Sequence, residues 1–357
     1  MKLKLFGVFV AVFLLFFLVR SNPTLAAGTC GMNIDPANPG GSPSAEALKG
    51  VGWVRIEYKD CSTESLPLVS TSLYKPILQV YKAAGIKTLV ILDYASFPSA
   101  STDVNGFAER TAYINSSLGG LIDAYEIWNE PDIDQGGNLS AQQFANIVNA
   151  VAPTLQGKTV LLGGLASGNP GYASSTLAFI TASFTGFSVH PYGKTASGMA
   201  SLVNAYRSAS GGKPVWITEI GSNNPNNAVT ANYLTSIYAG GVPADVIIWF
   251  AWSDAMVPAF GIVDASQSPK PQYKAFFNFE NVTLRFTESS LQAVALEALK
   301  RKTGARGLRS ILEEVMLEIM YELPRKSNVR ECVITEQVIA KKDEPLYLYD
   351  VPRTMTA

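Results

Sequence analysis

The chain has 357 residues, of which 47% are hydrophobic and 16% charged, and its formal net charge is -1. This length accommodates one domain of roughly 250 residues and a smaller one, each with its own core. A net charge near zero gives no electrostatic reason to expect nucleic acid or an anionic membrane as a partner. Asp, Glu, Lys and Arg make up 24 of the last 78 residues but 33 of the first 279. We therefore predict a domain boundary near residue 280.

The first 27 residues have the three parts of a secretory signal. Lys2 and Lys4 precede an uninterrupted apolar run over 5–19, and small residues follow up to Ala27. The run is shorter than the ~20 residues that span a bilayer comfortably. We predict that residues 1–27 are a signal peptide and that the protein is secreted, periplasmic or at the cell surface. An uncleaved membrane anchor is the alternative.

Cysteine and histidine are scarce. Cys30 and Cys61 are the cysteines of the exported part, so they can form one bridge in an oxidising compartment, whereas Cys332 has no evident partner in the sequence. The chain has one histidine, His190, and therefore no Cys/His cluster with metal-ligand spacing. We expect neither a metal nor a cofactor.

Short apolar segments rich in Val, Ile and aromatic residues alternate with helix-like stretches over 28–279. Eight strands in ~250 residues favour a (β/α)8 TIM barrel over an open doubly wound sheet, and the Gly-x-Gly-x-x-Gly turn of a dinucleotide-binding fold is missing after the first strand. The predicted strands are 31–34, 53–57, 88–92, 124–128, 159–163, 187–190, 215–219 and 246–252. The predicted helices between them include 73–84, 141–150 and 231–238.

Two glutamates lie at the ends of predicted strands, where a TIM barrel places its functional residues. The fourth strand runs into Trp128-Asn129-Glu130-Pro131, and the seventh runs into Thr218-Glu219-Ile220-Gly221. A single glutamate in such a position is more often a structural or solvated carboxylate. Two carboxylates across one barrel mouth are what a glycosidase requires, because one protonates the departing sugar oxygen and the other attacks the anomeric carbon when the two are ~5 Å apart.

At these two motifs and at Val189-His190-Pro191-Tyr192, the chain resembles the retaining glycoside hydrolases of the large (β/α)8 clan, whose catalytic glutamates end strands four and seven. The resemblance implies that Glu130 is the general acid/base, that Glu219 is the nucleophile and that Asn129 holds the sugar 2-hydroxyl. An ionised Glu219 would favour the protonated form of Glu130, and loss of that charge in the glycosyl-enzyme would let Glu130 act as a base.

The same resemblance implies further residues that contact the substrate or the nucleophile. His190 and Tyr192 end the sixth strand and can bind the nucleophile or a sugar hydroxyl, although a lone histidine is more often a packed core residue. Arg55 resembles the strand-two arginine beside the nucleophile, with an ordinary ion pair to Glu57 or Asp60 as the alternative. Trp252 is the best candidate for a platform on which a sugar ring stacks.

The charged C-terminal segment, residues 280–357, has apolar residues at helical spacing and then at strand spacing. It predicts a small α/β domain. The predicted elements are helices over 288–302 and 307–321 and strands over 331–334 and 346–349.

The C-terminal segment has a distinctive sequence. Over 282–349, and above all at Lys-Thr-Gly-Ala-Arg-Gly-Leu-Arg-Ser (302–310), it resembles the C-terminal small domain of the ClpX-type AAA+ unfoldase. In that family the arginine of Gly-Ala-Arg, here Arg306, senses nucleotide phosphate. No phosphate-binding loop accompanies it, because Gly157-Lys158-Thr159 is preceded by Ala152 where the first glycine is required. We therefore expect Arg306 to be a surface charge.

The leading hypothesis is an exported, retaining β-glycosidase or glycanase over 28–279 that acts on a polysaccharide or oligosaccharide and carries a non-functional fused segment over 280–357. One alternative is an AAA+ small-domain module that contacts an unfoldase through 282–349, with the barrel as a passenger. Another is a carbohydrate-binding barrel without turnover. We expect no nucleic acid and no stable membrane partner.

Overall fold

The computed structural model describes residues 29–60, 66–239, 241–280, 283–301, 308, 311–312, 314–315, 319, 329–341 and 343–349. The predicted signal peptide, Cys61 and Arg306 lie outside these residues, so signal cleavage, pairing of Cys61 with the buried Cys30 and the role of Arg306 stay predictions. No helix within the described ranges is long and apolar enough to cross a membrane.

The described chain divides into two compact units. The first comprises the described residues up to Asn223 together with Ser236–Gly261. The second comprises Asn224–Thr235 and the described residues from Ile262 onward.

Eight parallel strands of the first unit form a closed barrel in chain order, which confirms the predicted TIM barrel. Each strand pairs with the next, and the last closes onto the first through Gly31 and Ile248. The eighth strand ends at Trp249, before the predicted position 252; beyond it the Ala251 amide bonds the Phe260 carbonyl and the Trp252 amide bonds the Asn33 carbonyl. The strands are β1 (Cys30–Ile34), β2 (Trp53–Glu57), β3 (Lys87–Leu92), β4 (Ala124–Ile127), β5 (Thr159–Leu165), β6 (Gly186–Val189), β7 (Val215–Ile220) and β8 (Ile247–Trp249).

Helices occupy the connections between the strands. Four of them start at a side-chain cap. At the third helix the Ser140 hydroxyl accepts from the Gln143 amide and the Gln143 side chain accepts from the Ser140 amide, and the helix starts at Ala141. The helices are α1 (Ser70–Ala83), α2 (Val104–Leu118), α3 (Ala141–Val151), α4 (Pro170–Leu177), α5 (Ala196–Ala209), α6 (Asn227–Ala239) and α7 (Pro271–Glu280).

The barrel interior changes from apolar to polar along the strands. Because successive side chains alternate between the two faces of a strand, residues two apart point the same way. Arg55 therefore follows Trp53 on the inner face of β2, and Glu126 follows Ala124 on the inner face of β4. The apolar layer consists of Trp53, Leu89, Ala124, Leu161, Trp216, Val246 and Ile248. The polar layer lies nearer the carboxyl ends of the strands, where the predicted site residues are.

The second unit contains a three-stranded sheet with helices. The elements are β9 (Thr283–Phe286), α8 (Glu288–Lys300), β10 (Val329–Ile334), α9 (Glu336–Ile339) and β11 (Leu346–Tyr349). The strand order is β11-β10-β9, in which β10 runs parallel to β9 and antiparallel to β11. This confirms a small α/β region, although β9 itself was not predicted. The described residues within 307–321 are helical, as predicted. The unit has a core of Val294, Ala298, Ile311, Val315, Ile319, Cys332, Ile334, Val338 and Ile339.

Candidate active site

The two predicted catalytic carboxylates lie side by side at the barrel mouth. Glu130 follows β4 and Glu219 lies near the end of β7, and one carboxylate oxygen of each is within 4.8 Å of the other and of a ring nitrogen of His190. Their side chains are mostly buried but not sealed, with exposed fractions of 14% for Glu130 and 12% for Glu219. Both carboxylates can therefore contact a molecule that enters the barrel mouth.

Arg55, on β2, connects the residues beneath this pair. Its guanidinium binds Glu219 Oε1 and donates from Nη1 to Asn33 Oδ1 at 3.0 Å. Its Nη2 donates to Asn129 Oδ1 at 3.0 Å, and its Nε donates to Glu126 Oε2 at 2.7 Å. The structure thus brings Arg55 to the predicted nucleophile, and its ion pairs are with Glu126 and Glu219.

The charges of these groups stabilise one another. Burial alone would lower the pKa of Arg55, but the charges of Glu126 and Glu219 raise it well above its ordinary value. Burial alone would raise the pKa of Glu219, but His190, Arg55 and the hydroxyl of Tyr192 hold it below its ordinary value. Near neutral pH the site therefore contains a guanidinium cation and an ionised Glu219.

His190 and Tyr192, at the end of β6, contact the carboxylate pair. His190 Nδ1 lies 2.9 Å from Glu130 Oε1 and 3.7 Å from Glu219 Oε2, and its Nε2 lies 3.1 Å from Thr218 Oγ1. The Tyr192 hydroxyl donates to Glu219 Oε2 at 2.9 Å. Burial, and then the charge of Glu219, raise the pKa of Tyr192 well above its ordinary value. The hydroxyl therefore remains a hydrogen-bond donor.

The backbone around Glu130 is held in an uncommon conformation. Trp128 and Glu130, on either side of Asn129, both have positive φ angles, 74° and 54°. Such conformations are unfavourable for residues with a Cβ and persist where the surroundings impose them. Here Trp128 Nε1 donates to the Gly136 carbonyl, and the Glu130 amide donates to the Gly163 carbonyl, each at 2.8 Å. These bonds fix the directions of Asn129 and Glu130.

Gly164, on β5, leaves room for the buried side chains of His190 and Glu126 because it has no side chain of its own. Its φ is +59°, and a Cβ there would lie 2.7 Å from His190 Cε1 and 2.9 Å from Glu126 Oε1. Neither contact is sterically tolerable, so a side chain at this position would displace the imidazole or the carboxylate. Glycine is therefore required for both groups to keep their places.

Residues 114–258 match the family model of the glycosyl hydrolase catalytic core. The barrel resembles glycoside hydrolases. A glucosidase from Croceicoccus marinus superposes with a TM-score of 0.58 at 14% identity, over 72% of this chain and 67% of that one. A family 39 glycoside hydrolase from Bacteroides cellulosilyticus WH2 gives 0.54 at 18% identity, over 72% of this chain and 63% of that one. A family 128 endo-beta-1,3-glucanase from Amycolatopsis mediterranei, in complex with laminarihexaose, gives 0.51 at 15% identity, over 70% and 98%.

The C-terminal segment is similar to parts of other proteins. Residues 267–336 match the family model of the C-terminal D2-small domain of ClpB. The ATP-binding subunit ClpX of the Clp protease from Borrelia duttonii is 40% identical over 88 residues, which is 24% of this chain. The chain spans about a fifth of the length of this relative. The predicted resemblance to the small domain of an AAA+ unfoldase is therefore confirmed.

The same three side chains that form the mouth are spaced closely enough to hold a cation. Glu130, His190 and Glu219 each offer one ligand atom, and these atoms lie within 4.8 Å of one another. Arg55 already places a positive charge against Glu219 and lies 3.5 Å from His190 Nε2. A divalent ion would have to compete with this guanidinium, so the geometry favours carboxylates that act without one.

Several residues at the site were not predicted, among them Phe260 and Glu126, and one predicted residue contributes little exposed surface. Trp252 is 4% exposed, so its ring offers hardly any face to a sugar. Phe260, which is half-buried, lies in the loop after β8 and packs against Tyr192 with ring centroids 6.2 Å apart. No sequence pattern points to Phe260, because it lies in an irregular loop. Glu126 could have been noticed from the sequence, because it is a charged residue within an apolar strand, on the inward face.

Proposed function

We propose that the barrel is a glycosidase that hydrolyses β-O-glycosidic bonds by double displacement. The observation that carries the proposal is the approach of Glu130 and Glu219 to within 4.8 Å. Carboxyl groups about 5 Å apart leave no room for a water between one of them and the sugar, which favours direct attack; single displacement needs roughly 6.5–9.5 Å. The match of residues 114–258 to a glycosyl hydrolase catalytic core supports the reaction class.

In the first step, an ionised Glu219 oxygen attacks the anomeric carbon. The bond from that carbon to the leaving oxygen breaks, and Glu130 transfers its proton to the leaving oxygen. Arg55 and Tyr192 contact Glu219 and keep it ionised and oriented until attack. The product of this step is a glycosyl ester of Glu219 and a neutral alcohol or shortened sugar.

In the second step, Glu130 accepts a proton from a water molecule that attacks the same anomeric carbon. The bond between that carbon and Glu219 breaks, and Glu219 leaves as a carboxylate. His190 Nδ1, 2.9 Å from Glu130 Oε1, holds the acid/base in place for both proton transfers. Two displacements restore the original configuration of the sugar.

Asn129 is positioned to bind the sugar. Its Oδ1 accepts from Arg55, and its amide nitrogen, which has two hydrogens and also bonds the Tyr94 side chain, keeps one hydrogen to donate. We propose that it donates to the 2-hydroxyl, a contact that strengthens in the transition state. The substrate class we propose is a β-linked polysaccharide or oligosaccharide, and the laminarihexaose bound to one similar structure makes β-1,3-glucans part of the first substrate panel.

The test compares the full chain with Glu219→Gln on β-linked glycans and aryl β-glycosides. We expect the parent to release sugar and the variant to release none, because an amide cannot displace the leaving group. Glu109→Gln, an exposed glutamate on α2, is the matched control and should keep the parent rate. Proton NMR of the first product should show the β-anomer. Inverted product, or equal rates for the parent and Glu219→Gln, would contradict the mechanism.

We also propose that the protein is exported and that residues 280–357 are not needed for hydrolysis. The basic, apolar and small-residue parts of residues 1–27 support export. N-terminal sequencing of secreted protein should start near residue 28, and an intact N-terminus in the cytosol would contradict export. Deletion of residues 281–357 should leave the hydrolysis rate unchanged. Binding of separately made residues 282–357 to an unfoldase large domain would instead favour an interaction role.

A further inference from the structure

Glu126 is a fully buried carboxylate, 0% exposed, directly beneath the catalytic pair. Its Oε2 accepts from Arg55 Nε at 2.7 Å. Its Oε1 accepts from Ser188 Oγ at 2.8 Å and from Thr218 Oγ1 at 3.0 Å. A carboxylate with donors on both oxygens is stabilised in its charged form even when buried. The donors come from β2, β6 and β7, so the residue fixes three strands at once.

The mechanism does not use Glu126, yet the charge balance of the site depends on it. Arg55 binds two carboxylates, Glu126 and Glu219, so this group of three carries a net charge of -1 before the reaction. When Glu219 becomes an ester, its charge is lost and Arg55 keeps one anionic partner. Without Glu126, Arg55 would then be a buried cation with no counter-ion, next to an anomeric carbon that develops positive charge in the transition state.

We infer that Glu126 is a positioning residue that keeps the Arg55 guanidinium neutralised and in place while Glu219 alternates between carboxylate and glycosyl ester. This inference rests on the proposed double displacement. It assigns Glu126 no contact with the sugar. Its effect passes through Arg55, and through Thr218, whose hydroxyl oxygen lies between Glu126 Oε1 and His190 Nε2, at 3.0 and 3.1 Å.

Removing the charge of Glu126 should therefore change how the site titrates. The loss of this negative charge, which lies on the other side of Arg55, favours the ionised form of Glu219. The bell-shaped pH profile of kcat/KM should then move to lower pH. The titratable and charged groups that face Glu126 and Arg55 across the barrel are Glu219, His190, Glu130, Tyr192 and Asp93.

The experiment measures kcat, KM and the pH profile of the full chain, Glu126→Gln and Ser188→Ala. Glutamine keeps the shape of Glu126 without its charge, whereas Ser188→Ala removes one hydrogen bond to Glu126 and keeps the charge. We expect Glu126→Gln to lower kcat roughly tenfold or more and to shift the profile to lower pH. We expect Ser188→Ala to leave the position of the profile unchanged. Circular dichroism verifies that each variant is folded.

An active parent with an unshifted profile in folded Glu126→Gln would overturn the inference and leave the proposed function intact. A parent that is inactive on every substrate would overturn the proposed function, and the inference with it. If Glu126→Gln does not fold, Glu126→Asp decides. Aspartate keeps the charge but withdraws it from Arg55, so the inference requires a lower kcat at an unchanged pH optimum, and a parental kcat would refute it.

Discussion

Asp93, which directly follows β3, is a buried carboxyl group whose protonation should control the stability of the barrel. It is 0% exposed, its Oδ1 accepts from the Ala95 amide at 2.8 Å, and its Oδ2 has no hydrogen-bond partner among the described residues. Burial, and then the charge of Glu57, raise the pKa of Asp93 to about 8 from its ordinary 3.8. The folded protein therefore keeps this carboxyl protonated at neutral pH.

The sign of the effect follows from proton linkage. Between pH 4 and 8 the folded state binds a proton at Asp93 that the unfolded chain has released, so the free energy of unfolding decreases as pH rises through this window. One titrating group contributes about 1.4 kcal/mol per pH unit, so Asp93 should cost the barrel roughly 3 kcal/mol between pH 5 and pH 7. Asp93→Asn cannot titrate and should not show this loss.

The assay is urea unfolding at pH 5, 6 and 7, followed by tryptophan fluorescence. All five tryptophans precede residue 253, so their emission reports the barrel unit and not the charged C-terminal segment. The free energy of unfolding of Asp93→Asn relative to the parent should rise by roughly 3 kcal/mol from pH 5 to pH 7. Asp134→Asn, an exposed aspartate, is the control and should parallel the parent. Parallel curves for Asp93→Asn and the parent would refute the reasoning.

Three further substitutions test the site geometry. Gly164→Ala should lower the free energy of unfolding by roughly 2–3 kcal/mol and reduce kcat, because the added Cβ collides with the buried imidazole and carboxylate. Gly168→Ala is the control: φ is +70° there, and an added Cβ would meet no heavy atom within 4 Å. It should therefore cost only the backbone strain of about 1–2 kcal/mol. Equal losses at the two glycines in thermal melts would disprove the collision. Tyr192→Phe removes a donor that lowers the pKa of Glu219, so the acid limb of kcat/KM should move to higher pH. An unmoved limb would show that the hydroxyl does not tune Glu219. Phe260→Ala should raise KM several-fold with little change in kcat, whereas an unchanged KM in initial-rate measurements would remove Phe260 from the substrate surface.

The barrel could be predicted because its sequence pattern is local and repetitive. Each strand is a short run of β-branched and apolar residues, and the alternation with helices implies parallel strands and a closed sheet. The strand ends then indicate where side chains converge, which is why Glu130 and Glu219 could be paired although they are 89 positions apart. Neither inference needs the side-chain packing to be known.

The features that could not be predicted depend on contacts between distant segments. The burial of Trp252, beyond the end of β8, is not visible in the continuous apolar run over 246–252. Phe260 reaches the site from a loop, and loop paths are not encoded in a hydrophobic period. Glu126 was visible as a charge in an apolar strand, but its role depends on the side chain of Arg55, 71 residues earlier.

The closure of the barrel by β1 against β8 also determines when the protein can fold. β1 has a neighbour on both sides only when Cys30 pairs with Ile247 of β8. These two residues are more than 200 positions apart, so one edge of β1 stays unpaired until the last barrel strand is present. The last barrel strand ends at Trp249, so every strand of the barrel sheet is complete in the sequence before residue 280. A gene that acquires a new 3′ sequence beyond this point alters the segment after the barrel but not the order in which the barrel strands are joined.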